Sequence, residues 1–172
     1  MTVTECDVPS ASMLDRDRVE TAYFRDAYRA PLSRDVSIVS VFHGIFAHTP
    51  KWMKLALVVR NRIASACGLA VPADAEILDY RIKDSYAVGD KIGPWPIFAL
   101  SEQELVAGRD NKHMDFRLSL MKVTDGGKTS VVVSTICNVH NAFGKIYLFF
   151  IAPFHRHGVQ KLMTDAVNAH RL

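Results

Sequence analysis

Apolar side chains recur at three- and four-residue spacing through Ile38, Val41, Phe42, Ile45 and Phe46, the period of one helical face, and Asp35 is the expected N-cap. Thr49 and Pro50 then restart the chain as cap and first helical residue. Trp52, Leu55, Ala56, Val59 and Ile63 give this second helix its own apolar stripe, with Gly68 as its C-terminal stop. Ahead of both helices, Tyr23, Phe24 and Tyr28 alternate with charges, which predicts an edge strand over residues 21–30, with a short helix as the alternative.

Beyond Gly68 the pattern shortens to strand-like segments, beginning with residues 76–82 and punctuated by Gly89-Asp90 and Gly93-Pro94-Trp95-Pro96. Ser101 and Glu104 fit either a capping box for one helical turn or the start of a strand over 104–107. Clearer strands are expected over residues 112–122, 130–139 and 145–152. Asp125-Gly126-Gly127 joins the first two as a hairpin and a turn at 141–144 joins the last two. Pro153 then opens a final helix, with Val159, Leu162, Met163, Ala166 and Val167 on its apolar side. Helices, strands and one closing helix define an α+β fold. Trp52 and Leu162 are expected in its core. In the expected strand 145–152, Tyr147, Phe149 and Ile151 alternate with Ile146, Leu148 and Phe150, so both faces are apolar, and the second face predicts a homodimer or another cover.

At 172 residues and 49% hydrophobic content, the chain fits one domain able to bury a core without staples. Residues 1–20 lack periodicity and are expected as a flexible arm ahead of a single domain over 21–172. They hold five acids and two bases and no apolar signal region, so a cytoplasmic protein is expected. The longest apolar stretch, from Ile146 to Phe154, is too short to span a bilayer, so no membrane insertion is expected. Lys51, Lys54, Arg60 and Arg62 gather on one helix, as a solvated face or a surface for an anionic partner, and without stacking aromatics or a helix-turn-helix no nucleic-acid site is expected. Cys6, Cys67 and Cys137 are too far apart for a disulfide framework or thiolate site, and the histidines lack metal-ligand spacing, so no metal is expected. Nucleotide-binding glycine loops and a serine-hydrolase elbow are also missing.

Candidate chemistry centres on three places. In the strand over 112–122, His113, Asp115 and Arg117 share one face, and Met114, Phe116, Leu118 and Leu120 share the other. The polar row is either a solvated ladder, a contact between subunits, or a pocket in which Asp115 orients His113 as general base and Arg117 receives an anion. His140 and Asn141 sit at a strand end, as turn residues or ligand contacts. His155 and Arg156 fall at the expected start of the last helix, where backbone N–H groups bind anions or the side chains fasten the junction.

Pro50-x-Trp52 with Val59-Arg60-Asn61, the run from Lys112 to Arg117, His140-Asn141-x-x-Gly144-x-x-Tyr147 and Ile151-x-Pro153-Phe154-His155-Arg156 together resemble the bacterial domain-of-unknown-function 2867 family. That family in turn resembles the helix-grip (SRPBCC) superfamily of polyketide cyclases and START-type lipid carriers. The resemblance implies a helix-grip-like fold, a curved antiparallel sheet around a long C-terminal helix and an internal cavity, and transfers no catalytic role. The expected function is therefore to hold a small apolar or amphipathic molecule between sheet and last helix without a cofactor. Trp52, Phe116, Arg117, His140, Asn141, Tyr147 and Arg156 are the expected ligand contacts, and Trp95 and Phe149 are expected in the same aromatic interior. The alternatives are a cofactor-free cyclase, isomerase or hydratase using His113, Asp115 or His155, and a structural interaction module.

Overall fold

A computed structural model describes residues 2–66, 71, 73, 74, 78 and 82–172. Cys67, Gly68 and most of the strand expected over 76–82 lie outside the described residues. The described elements are β1 (Thr4–Glu5), α1 (Arg16–Glu20), β2 (Phe24–Pro31), α2 (Ile38–Phe46), α3 (Lys51–Ala66), β3 (Lys91–Ile92), β4 (Trp95–Leu100), β5 (Glu104–Asp110), β6 (Met114–Asp125), β7 (Lys128–Val139) and α4 (Ala142–Asn168). The strands form one open sheet in the order β1-β2-β7-β6-β5-β4-β3, with every neighbouring pair antiparallel. The result is an α+β, helix-grip-like arrangement, with the curved sheet wrapped on α4.

Local chemistry accounts for several elements. Gly126 and Gly127 take φ of 54° and 76°, the left-handed conformation a two-residue hairpin turn requires, and so pair Asp125 with Lys128. The N-cap of α2 is Ser37, whose Oγ accepts from Ser40 N–H at 3.1 Å; Asp35, expected there, instead pairs with Lys122 at 2.9 Å. β2 lies beside β7 along its whole length, and the two residues of β1 cover part of its other edge. The strand alternative holds at 104, where β5 begins while Ser101 Oγ caps the turn before it by accepting from Glu104 N–H.

The largest departure concerns residues 145–152, which are helical and not a strand. Helix α4 begins at Asn141, whose Oδ1 accepts from Gly144 N–H at 3.1 Å, and continues through Pro153 to Asn168. Gly144, Leu148, Val159, Leu162, Met163 and Ala166 are buried, with His155 partly so, at helical spacing on one stripe. A Cβ on Gly144 would stand 2.5 Å from the His113 carbonyl oxygen, so glycine lets this turn lie against the sheet. Packing of that stripe outweighs both the β propensity of the run and the helix bond that Pro153 cannot donate. The two apolar faces expected of a strand thus become the two sides of a helix. Phe149 is 74% exposed, outside the interior expected for it, beside exposed Ile146, Phe150 and Phe154.

The main core lies on the inner face of the sheet under α2 and the C-terminal half of α4, around Tyr28, Phe42, Leu105, Leu120, Val133 and Met163. Leu162 joins it as expected. Trp52 does not: it is 59% exposed, because α3 turns Val58, Asn61 and Ala64 inward, one step around from the stripe of Trp52, Leu55 and Val59. On the outer face, Leu14 and Val19 pack with Val106 and Ile136. Buried Glu104 accepts from Ser12 Oγ, Met13 N–H and Ser119 Oγ at 2.5–2.6 Å, tying the segment before β2 to the sheet.

Two substitutions test this placement of α4. Leu162→Ala is expected to lower unfolding free energy by about 2–5 kcal/mol in urea denaturation. Pro153→Ala should raise it by about 1–2 kcal/mol, since the restored helical bond exceeds the lost rigidity of the unfolded chain. A destabilised Pro153→Ala would return Pro153 to a helix start.

Candidate functional site

A cavity of about 850 Å³ opens between the inner sheet face, α3 and α4. Strand alternation supplies one wall: Met114, Phe116 and Leu118 of β6 and Thr135 and Cys137 of β7. The other walls carry Met53 and Ala56 from α3 and Tyr147, Leu148, Ile151 and His155 from α4. The volume suits a drug-sized or lipid-like molecule.

One polar cluster meets this wall. Asp26 stands on the inner row of β2 between Phe24 and Tyr28, directly opposite Thr135 of β7, and is only 5% exposed. His155 reaches it from α4: Nε2 is 3.1 Å from Thr135 Oγ1 and 3.6 Å from Asp26 Oδ1, and the ring sits edge-on to Phe24. Tyr28 donates its hydroxyl to Asp26 Oδ2 at 3.4 Å. With Nε2 turned to the sheet, the ring is oriented by Thr135; among the described residues Asp26 Oδ1 accepts no hydrogen bond and Nδ1 has no hydrogen-bond partner. Burial, with Asp26 adding to it, pushes the neighbouring Cys137 thiol up to about 12. Burial likewise raises the Tyr147 phenol, against the opposing influence of Arg60, whose guanidinium lies 5.5 Å over its ring.

The residues singled out from sequence divide between this cavity and other places. Trp52, Phe116, Tyr147 and His155 line the cavity. Asp115 and Arg117 stand on the outer sheet face. There Asp115 is 3.0 Å from His140 Nε2 and 3.5 Å from Arg18, while Arg117 grips Asp110 with two nitrogens and covers the Phe98 ring at 3.6 Å. The bonds from Arg117 hold the Asp110 carboxyl below its usual range. His113 precedes β6, with Nδ1 3.1 Å from Asn141 Nδ2 and its ring against Phe143, so His113 and Asn141 join the sheet to the start of α4. Arg156 lies 5.3 Å over Phe24, and His155 and Arg156 are mid-helix, without the free N–H groups of a helix start.

Asp26, Thr135 and Arg109 were not among the expected site residues. Two of them carry a faint sequence signal: Asp26 interrupts the inward row Phe24, Tyr28, Ala30, and Arg109 ends the inward row Leu105, Ala107. Arg109 lines the cavity, donates from Nη2 to the Pro94 carbonyl at 2.9 Å, and keeps a buried Nε without a partner.

Among the described residues no group of three or more His, Cys, Asp or Glu side chains could hold a metal, and no helix is long and apolar enough to cross a membrane. The model of a family described as "Protein of unknown function (DUF2867)" matches residues 18–162. No curated protein matches. Among solved structures, the chain is similar to protein Ms6760 from Mycobacterium smegmatis, at 10% identity and TM-score 0.41 over 93% of this chain and 94% of that one. It is also similar to Mll3558 from Rhizobium loti, at 13% identity and TM-score 0.38 over 86% and 97% of the two chains. A third is CalU16 from Micromonospora echinospora, at 12% identity and TM-score 0.33 over 86% and 88%.

The burial of Cys137 predicts its reactivity. With the thiol pushed up to about 12, only about one molecule in ten thousand carries a thiolate at about pH 8. In the native protein an aqueous disulfide reagent should therefore leave Cys137 unlabelled until denaturant is added, as peptide mass spectrometry will show. Rapid native labelling would place Cys137 in contact with water.

Proposed function

Because the chain belongs to the DUF2867 family of proteins of unknown function, its role has to be read from its own cavity, and we propose that it binds a small apolar or amphipathic molecule between the sheet and α4. The observation that carries this is the mostly apolar, roughly 850 Å³ space on the inner sheet face, where a filled core would have suited a purely structural module. The reading agrees with the likeness of the family to the START and polyketide-cyclase superfamily. Phe116, Tyr147 and Trp52 form the apolar contacts, and His155 with Thr135 supplies a polar anchor.

The His155–Asp26 pair favours one second reading, a cofactor-free acid–base enzyme acting on a molecule in the same cavity. In it Nδ1 takes or gives the proton while Thr135 fixes the ring and Asp26 stands 3.6 Å from Nε2.

Native mass spectrometry of freshly purified protein tests both. A retained small molecule is expected, or, after delipidation, uptake of the neutral probe N-phenyl-1-naphthylamine; a bare protein that takes up no probe contradicts the proposal. His155→Gln keeps a hydrogen bond but loses the proton site. A carrier should then retain the same molecule more weakly, whereas an enzyme should retain a different species, substrate in place of product.

A further inference from the structure

The fixed charges on the cavity wall are of one sign. Lys54, Arg60 and Arg109 are among its lining residues, and no Asp or Glu is among the described ones. Asp26 is buried beside His155 and does not line the space. Arg60 has partners, since Nη1 donates to Asn61 Oδ1 at 2.7 Å and the guanidinium rests over Tyr147. Arg109 is less well served. Its Nη2 donates to one neutral carbonyl, its Nε–H is buried without an acceptor, and among the described residues no carboxylate pairs with it. A guanidinium stays charged at any physiological pH, and a desolvated charge or donor without a partner is costly. A wall that is apolar over most of its area and cationic at Arg109 is complementary to a molecule with the same division and the opposite sign.

We infer that the ligand is an amphipathic carboxylate, its head group on Arg109 and its apolar body against Met114, Phe116, Leu118 and Ile151. This rests on the proposed binding role and narrows it to one ligand class. The carboxylate supplies the negative charge that the wall lacks and that no carboxylate of the described residues gives Arg109.

The test compares 11-(dansylamino)undecanoic acid with its methyl ester by fluorescence titration of the full chain. The acid should bind more tightly by at least about tenfold, the usual worth of a charge-assisted hydrogen bond. Arg109→Met should bring the acid down to the level of the ester and leave the ester unchanged, while Arg109→Lys restores part of the preference. Equal binding of acid and ester by the unaltered protein overturns the inference and leaves the cavity reading standing, and this comparison needs no variant to fold. Binding of neither overturns both. An acid preference that survives Arg109→Met, with circular dichroism unchanged, assigns the head group to another cation and also overturns the inference.

Discussion

A carboxylate on the inner face of a sheet has to be matched by whatever packs over it, and Asp26 imposes that condition on α4. Its row on β2 otherwise carries Phe24, Tyr28 and Ala30, and Thr135 opposite it brings a hydroxyl but no charge. An unmatched buried carboxylate is unfavourable by several kcal/mol; Tyr28 donates to Oδ2, and Oδ1, which accepts no hydrogen bond among the described residues, favours a polar over an apolar residue on the helix above. His155 is the α4 residue that comes nearest, with Nε2 bonded to Thr135 Oγ1 and 3.6 Å from Asp26 Oδ1, and its inward position sets the rotation of α4 about its own axis.

Much follows from that rotation. With His155 inward, helical spacing also turns Leu148, Val159 and Leu162 toward the sheet and leaves Phe149, Phe150 and Phe154 outside. At the C-terminal half, α2 joins α4 and the inner face is filled. Toward the N-terminal half α3 supplies the facing wall, and the space between it and the sheet is the cavity. One stripe of one helix therefore serves as core at one end and as cavity wall at the other, with the polar pair between them.

Elements whose signal is local were legible in the sequence. The diglycine turn, the two long strands it joins and the apolar face of α2 each follow from a few adjacent residues. Residues 145–152 were not, because Ile146 through Phe154 contains no charged or amide residue, so apolar positions satisfy a period of two and of 3.6 alike, and Pro153 is as natural at a helix start as it is costly inside one. Trp52 shows the same limit: α3 is apolar on more than one side, and only tertiary packing selects Val58 and Ala64 for burial. At the site, the aromatic and histidine members that line the cavity stand out as residue types. The Asp26–Thr135–His155 cluster joins three distant segments, so it emerges only once β2, β7 and α4 are brought together.

The claim at the centre of this account is that the space under α4 is a binding site. Methyl NMR of the protein titrated with dodecanoate measures it directly, through the resonances of Met114, Leu118, Leu148 and Ile151 on the cavity wall and Ile146 on the outer side of the helix. Saturable shifts on the wall methyls, with Ile146 little changed, are the expected result. Shifts confined to Ile146, with the wall methyls unmoved, would contradict it and assign apolar binding to the outer surface of α4.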